Sequence, residues 1–386
     1  MKKFFVIAGE ASGDLLGSKL IYELKLQNPD SQFIGVGGKL MQEQGLVSIF
    51  PMEELAVMGF MEVVPHLFKL LRRIKQTAET IIREKPDFVI TVDSPDFCFR
   101  VMKRLVDSRE SIVDSFKKVH LIAPSVWAYR EGRAEKISKL YDLLLAILPF
   151  EPPFFEKYGL KTVFIGHPLI TNAPDFSQKT EFNLAFRRKH KIAESDLLIC
   201  VTPGSRVSEV QKIFPEFIGA INLLAAKFPQ IKVAIPTVQK TRELVVEMAK
   251  SLKVEYFFVE DEEKKSLFFA SDFAVAKSGT NAVEFSLYRI PMLIAYKINF
   301  LTHFIVKRMI KIQFANLVNL ILNQEIIPEM LQKKCRAKKI AEVLEKLISD
   351  KSFAQTQMIK SELALKMMGL GSIDNPSQKA AKEILK

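Results

Sequence analysis

Hydrophobic residues along this chain gather in short, nearly uninterrupted runs, each closed by glycine, proline or a small polar residue. A longer segment of helical periodicity follows most of them. In the first half the runs are Phe4–Ala8, Gln32–Val36, Phe88–Val92, Val119–Ala123 and Leu143–Leu148, with a last one opening at Val163; in the second they are 197–201, 231–235, 256–259, 273–276 and 291–295. Runs this short, apolar on consecutive positions, predict strands buried on both faces, and helices between them supply the crossovers of parallel sheets. The pattern therefore predicts α/β architecture with two doubly wound, Rossmann-like parallel-sheet domains facing each other across a cleft. Residues 169–195 are polar, charged and weakly periodic, as an interdomain linker would be. From Lys333 onward the pattern is helical, basic at first, with no strand signal.

A chain of 386 residues holds two ordinary domains. No window reaches the ~18 uninterrupted apolar residues of a spanning helix. The opening Met1–Ala8 has too short an apolar core for a signal peptide and runs straight into Gly9-Glu10, as a first strand does. Cys98, Cys200 and Cys335 are far apart and lack metal-ligand spacing, which predicts reduced thiols and a cytosolic protein. The net charge of +12 asks for an anionic partner: nucleic acid, a membrane surface or a phosphorylated substrate.

Two strand-to-helix turns narrow that choice. In Phe273–Glu284 a strand breaks at Ser278-Gly279-Thr280 and a helix begins, which offers free backbone N–H groups to a phosphate. Glu284, one to two turns in, is placed to reach a ribose on that phosphate. In Leu197–Arg206 a second strand ends at Pro203-Gly204-Ser205, and Arg206 adds a planar, permanent charge. Together they suggest one diphosphate clamp. Neither the dinucleotide fingerprint nor the phosphate loop of ATPases is present.

In the first half, Phe88–Val92 delivers Asp93 to the carboxyl end of a strand, the edge at which open α/β sheets bind ligands. Asp93 is the candidate general base, and Asp96 the cap of the following helix. Gly9, Gly13 and Gly17 recur every four residues, predicting one helix face packed closely on the sheet. The same loop, with Glu10, Ser12 and Gly13, starts a helix and is a candidate anion site for an acceptor. His120 and His167 lie at strand ends and are read as structural. Residues 60–75 mix grease (Val63, Leu67, Phe68, Leu71) with bases (Arg72, Arg73), which suits an anionic membrane surface; a core helix with snorkelling bases stays open beside it. Residues 300–312 repeat the composition. No carboxylate or histidine cluster points to a metal, so neither metal nor cofactor is expected.

Gly9-Glu-Ala-Ser-Gly-Asp14, Met52–Gly59, Asp93–Phe97, Pro124-Ser-Val-Trp127, Leu148-Pro-Phe-Glu151, Phe164-Ile-Gly-His167, Pro203–Arg206, Ser278–Thr280 and Asn319-Leu-Ile321 fall in the order found in lipid-A-disaccharide synthases. The resemblance spans essentially the whole chain. It implies the GT-B glycosyltransferase fold, and transfer of 2,3-diacylglucosamine from UDP-2,3-diacylglucosamine to 2,3-diacylglucosamine 1-phosphate. The products are a β(1→6) disaccharide 1-phosphate and UDP, in lipid A biosynthesis. It implies an acceptor-binding domain over 1–168, a UDP-sugar domain over 169–345 and C-terminal helices over 346–386 that pack on the first domain or on a partner subunit. It assigns Glu284 and Asn319 to the nucleotide, beside the clamp residues Ser205, Arg206, Ser278, Gly279 and Thr280; Asp93 and Arg206 are the candidate catalytic residues. It also implies peripheral attachment to the cytoplasmic face of the inner membrane of a Gram-negative bacterium, with a homodimer left open. Tyr129, Asn281 and Val318 depart from the family pattern. The alternative within enzymes is a UDP-sugar 2-epimerase of the same fold, which needs no greasy basic surface. A nucleic-acid binder is the alternative from another class, and the chain shows no stacking platform of the kind single-strand binders use.

Overall fold

The computed structural model describes residues 1–55, 63–108, 110–298 and 312–386; of 63–67 it describes the backbone alone. The chain divides into two units, one made of Met1–Thr171 with Gly371–Lys386, the other of Asn172–Leu370. Part of the Met52–Gly59 motif and nearly all of 300–312 lie outside the described residues.

The first unit holds β1 (Lys3–Ala8), β2 (Gln32–Val36), β3 (Leu46–Ser48), β4 (Phe88–Val92), β5 (Lys117–Leu121), β6 (Leu143–Ala146) and β7 (Lys161–Phe164). They form one parallel sheet in the order β3-β2-β1-β4-β5-β6-β7. Helices α1 (Ala11–Gln27), α2 (Lys39–Glu43), α3 (Val63–Glu84), α4 (Pro95–Ser108), α5 (Arg133–Ser138) and α6 (Pro152–Glu156) connect it. Residues 4–8 of β1 are wholly buried, as the continuous apolar run requires of a central strand covered on both faces. Phe4 stacks on its register partners Phe33 and Phe88, with ring centroids 5.1 and 4.9 Å away, which makes a cross-strand aromatic ladder. The final helix, Pro376–Leu385, completes this unit: Asn375 and Gln378 form its capping box, and Ala380, Ala381 and Ile384 join the core.

The second unit holds β8 (Leu197–Thr202), β9 (Ile231–Pro236), β10 (Glu255–Val259), β11 (Phe273–Lys277), β12 (Met292–Tyr296) and β13 (Glu329–Leu331), parallel in the order β10-β9-β8-β11-β12-β13. Its helices include α7 (Lys179–Lys189), α8 (Val207–Ala225), α9 (Arg242–Ala249), α10 (Lys264–Ala270) and α11 (Asn281–Leu287). The three-residue strands β3 and β13 carry no run long enough to be read from sequence. The stretch read as a linker contains α7, which the Arg187–Asp272 ion pair at 2.8 Å and the stacking of Phe182 on Phe269 fasten to the second unit. Its polar pattern is that of a thin helix buried along one edge only. Both sheets have a topological switch point, between β1 and β4 and between β8 and β11, where crossovers leave in opposite directions and open a crevice.

Candidate active site

At the β8/β11 switch point the two predicted turns come together. A cavity of about 360 Å³ is lined by Gly204 and Ser205 from the first turn, Gly279 and Thr280 from the second, and Lys264 and Lys277. Asn281 ties the turns directly, its side-chain amide donating to Thr202 Oγ1 at 2.9 Å. The departure from the family's small residue is thus a cross-link. Gly204 has φ +126°, and a Cβ there would meet Glu209 at 3.0 Å, so the turn closes only with glycine.

Arg206 is the residue before α8, and its guanidinium, 73% exposed, donates to Glu209 Oε1 at 3.1 Å. Lys277 reaches the same oxygen at 3.1 Å. Burial alone would raise the Glu209 carboxyl, but the two cations outweigh it and hold it below the usual carboxylate range. Glu209 therefore parks both cations beside the cavity. Lys264 spans this cavity and a smaller neighbouring one containing Glu284, to which it is paired at 3.1 Å. Lys264 and Lys277 were not read from the sequence. Lys277 had a signal, a cation directly before Ser278-Gly279-Thr280; Lys264 had none.

Two predicted nucleotide residues are corrected. Asn319 is fully buried and saturated: its carbonyl oxygen accepts from the N–H groups of Ile326 and Ile327, and its amide donates to Ile327 O and Glu329. With Glu329, which accepts from Ala315 and Asn316, it shapes the 315–319 turn and has no atom left for a ligand. Ser278 is buried with its hydroxyl donated to Ala315 O at 3.2 Å, so it braces the pocket, and Gly279 and Thr280 face it.

At the β1/β4 switch point of the first unit, Asp93 and Ser94 are consecutive left-handed residues, φ +50° and +45°. Such geometry costs non-glycine residues roughly 1–3 kcal/mol each and is held by its surroundings. Here the Asp93 N–H donates to Leu121 O at 3.0 Å, and the Ser94 carbonyl receives the first N–H groups of α4. The turn leaves the Asp93 carboxylate partly exposed at the sheet edge, with Ser12 Oγ of α1 at 3.5 Å. Asp96 is not the cap. It stands inside the first turn of α4, 90% exposed, and Ser94 occupies the capping place.

The Gly9–Asp14 motif resolves into separate tasks. A Cβ at Gly9 would lie 2.6 Å from Ser94 Oγ, so α1 reaches the Asp93 turn only through glycine. Gly13 is buried against Val92 O and Ala8 and sets that spacing, so towards an acceptor it presents backbone alone. Gly17 packs on Met41 of α2 instead of on the sheet, and Gly9 precedes the helix, so the three do not share one face. Asp14 is a buried clip accepting from the N–H groups of Gly38, Leu40 and Met41. Glu10 and Ser12 remain exposed at the start of α1, where the first N–H groups have no intrahelical partner.

His120 is buried against Thr91 and Tyr141, and burial pushes it down to about 3; His167, likewise buried, falls to about 4. All three cysteines are buried and unpaired. Among the described residues no three His, Cys, Asp or Glu side chains gather as metal ligands.

In α3, Phe68 and Leu71 are 71% and 47% exposed, whereas Ile74, Ala78 and Ile81 join the core. Arg72 is exposed, but Arg73 is not free for headgroups: it pairs with Glu54 at 2.7 Å and lies over Phe50. The side chains of Val63 and Leu67 lie outside the described residues. Beside Leu71 a groove of about 580 Å³ is lined by Arg100, Lys103 and Arg104 of α4, bases the sequence reading had not singled out. No helix among the described residues is long and apolar enough to cross a membrane.

The family model described as lipid-A-disaccharide synthetase matches residues 4–384. A lipid-A-disaccharide synthase of Rhodospirillum centenum is 40% identical over 99% of this chain and 93% of its own length. One from Rickettsia prowazekii is 39% identical over 100% and 99%. Among solved structures, a UDP-GlcNAc 2-epimerase from Neisseria meningitidis bound to UDP-GlcNAc superposes with TM-score 0.58 at 15% identity, covering 100% of this chain and 98% of that one. A glycosyltransferase from Rickettsia africae gives TM-score 0.54 at 14% identity, covering 100% and 98%. At such identities the structures share the fold of this chain, the GT-B arrangement of two parallel-sheet domains.

Proposed function

The chain belongs to the lipid-A-disaccharide synthetase family and is a glycosyltransferase, and from that premise we propose which of its groups carry the reaction. The reaction joins UDP-2,3-diacylglucosamine to 2,3-diacylglucosamine 1-phosphate and releases UDP. Asp93 takes the proton from the acceptor hydroxyl as that oxygen attacks the anomeric carbon, on the face opposite the departing UDP. The observation that carries this assignment is the paired left-handed turn that sets a partly exposed carboxylate at the β1/β4 switch point, with Ser12 beside it.

The second unit receives the negative charge that grows on the leaving diphosphate. Lys264 and Lys277 already line its cavity, with the backbone of Gly204, Ser205, Gly279 and Thr280. Arg206, exposed and paired with Glu209, swings onto the phosphates as charge develops. Glu284, beside Lys264, takes the ribose. No step in this scheme requires a metal. In the first unit, the open start of α1 with Glu10 and Ser12 receives the acceptor's 1-phosphate.

Both substrates carry acyl chains, so the enzyme works at a membrane surface without crossing it. Phe68 and Leu71 enter the acyl boundary, while Arg72 and the α4 bases meet anionic headgroups at the cytoplasmic face of the inner membrane. The test of the base is UDP release, measured with and without the monosaccharide 1-phosphate, in the parent and in Asp93→Asn. Acceptor-dependent release at the parental rate in the variant would move the base elsewhere, with Glu10 next to be replaced.

A further inference from the structure

We propose that Trp127 is the surface on which the acceptor's pyranose ring stacks, and that Glu151 is the positioning residue that fixes the indole for it. This rests on Asp93 marking the acceptor's reactive end.

The placement follows from the sheet edge. Asp93, at the end of β4, donates its N–H to Leu121 O of β5, and Ile122 donates to Leu145 O of β6. The loops after β4, β5 and β6 therefore lie side by side, at the ~4.8 Å spacing of neighbouring strands. The loop after β5 is also tied at its far end: Arg133 lies 3.9 Å from the carboxylate of Asp96, three residues beyond Asp93. Trp127 falls between those two ties in the chain, within the loop that follows β5 at this edge of the sheet.

Trp127 is held by its polar edge. Its indole N–H donates to Glu151 Oε1 at 3.1 Å, and the other Glu151 oxygen accepts from the N–H groups of Ile147 and Leu148 at 3.1 and 2.9 Å. Phe150 stands perpendicular to the indole, 5.2 Å away. Glu151 is 1% exposed, yet the indole it anchors is only partly buried. Burying a carboxylate is costly, and burial pushes this one up to about 7 in spite of the three hydrogen bonds it accepts. An indole serving only to fill space could give its N–H to water or a carbonyl. A buried carboxylate clamped to two strand-end N–H groups fixes the ring's plane, which matters when something must lie flat on it. A pyranose offers an apolar C–H face for that contact, with hydroxyls around the rim that remain free to reach polar groups such as Asp93.

Trp127 is the chain's one tryptophan, so intrinsic fluorescence reports this position alone. The full-length protein is titrated in detergent with 2,3-diacylglucosamine 1-phosphate, with UDP, and with phosphatidic acid of matched acyl length, which carries phosphate and chains but no sugar. The acceptor should shift or quench the emission saturably, with a midpoint near its KM, and the other two should not. Silence toward the acceptor, or an equal response to phosphatidic acid, would overturn the stacking role. In kinetics, Trp127→Leu should raise the acceptor KM about tenfold and leave the donor KM unchanged, the scale of one aromatic packing contact. An unchanged acceptor KM would sink it. Glu151→Gln must turn an amide donor toward one of three donors, so its resting emission should move to the red and its acceptor KM rise as in Trp127→Leu. Parental emission and KM in a folded Glu151→Gln protein would remove the positioning role; should that variant fail to fold, the parent's titration still decides. Asp93→Asn should keep the fluorescence response while losing turnover, so a wrong base and a wrong stacking surface give different results.

Discussion

The two switch points share a backbone plan and differ in what fills it. At β8/β11 the turns are cross-linked by Asn281 and Thr202, and a buried carboxylate, Glu209, holds two cations in readiness. At β1/β4 no cation among the described residues is paired with Asp93; the turn is shaped by two left-handed residues and by the close approach that Gly9 permits. The proposed leaving-group site needs positive groups already in place. The proposed base does not, since a neighbouring cation would lower its basicity. Removing a group should therefore cost differently on the two sides.

The largest loss is expected from Asp93→Asn, which keeps size but cannot take a proton. Transfer should fall ~10²–10⁴-fold, the range for removal of a general base, while UDP binding stays parental. Asp96→Asn should change little, since that side chain is exposed in the first turn of α4. Equal losses in both would point to helix disruption instead.

On the other side, Arg206→Ala should lower turnover ~10²-fold, as when one donor to a developing charge is lost. Lys277→Ala should act mainly on donor KM, by ~10-fold or more, because Lys277 lines the cavity whether or not charge is developing. A variant of Arg206 with full turnover would leave the two lysines as the whole clamp. For the surface, Phe68→Ser with Leu71→Ser should weaken binding to anionic vesicles by ~10²-fold or more, each side chain being worth about 1.5–3 kcal/mol when buried. Activity in detergent should survive, and flotation with the parental yield would move the contact away from α3.

Acid separates the two regions last. Glu209 is held ionised by its cations, whereas the first unit buries Glu151, raised to about 7 from its ordinary 4.5, and His120, lowered to about 3 from 6.5. The folded form binds the Glu151 proton more tightly, so that contribution is full below pH 4.5 and lost as pH rises through 7. His120 works oppositely, losing stability as pH falls from 6.5 toward 3. Between pH 5 and 8 the parent should lose stability relative to Glu151→Gln by the order of 2–4 kcal/mol. Parallel Tm-against-pH curves would show that Glu151 is ionised throughout.

The strands of both sheets were legible because a run apolar on consecutive positions has one stable environment, between two layers of helix. The turns at 9–14, 93–96, 203–206 and 278–280 were legible for the same local reason: small residues and proline where a strand must stop. Among the described residues, the three-residue strands and α7, apolar along one edge, escaped a pattern read over short windows.

What sequence could not supply was the choice of partner. Asn319 and Ser278 stand in motifs that suggest ligand contact, yet their polar atoms are spent on backbone dozens of residues away or around a turn. Arg73 belongs to a basic run but is claimed by Glu54. Lys264 joins the cavity only because α10 packs beside β8. Local propensity and hydrophobic burial act between near neighbours and are written along the chain. Hydrogen bonds and ion pairs are short-ranged in space and indifferent to sequence distance, so the folded chain alone decided which polar groups are spent on structure and which are left for chemistry.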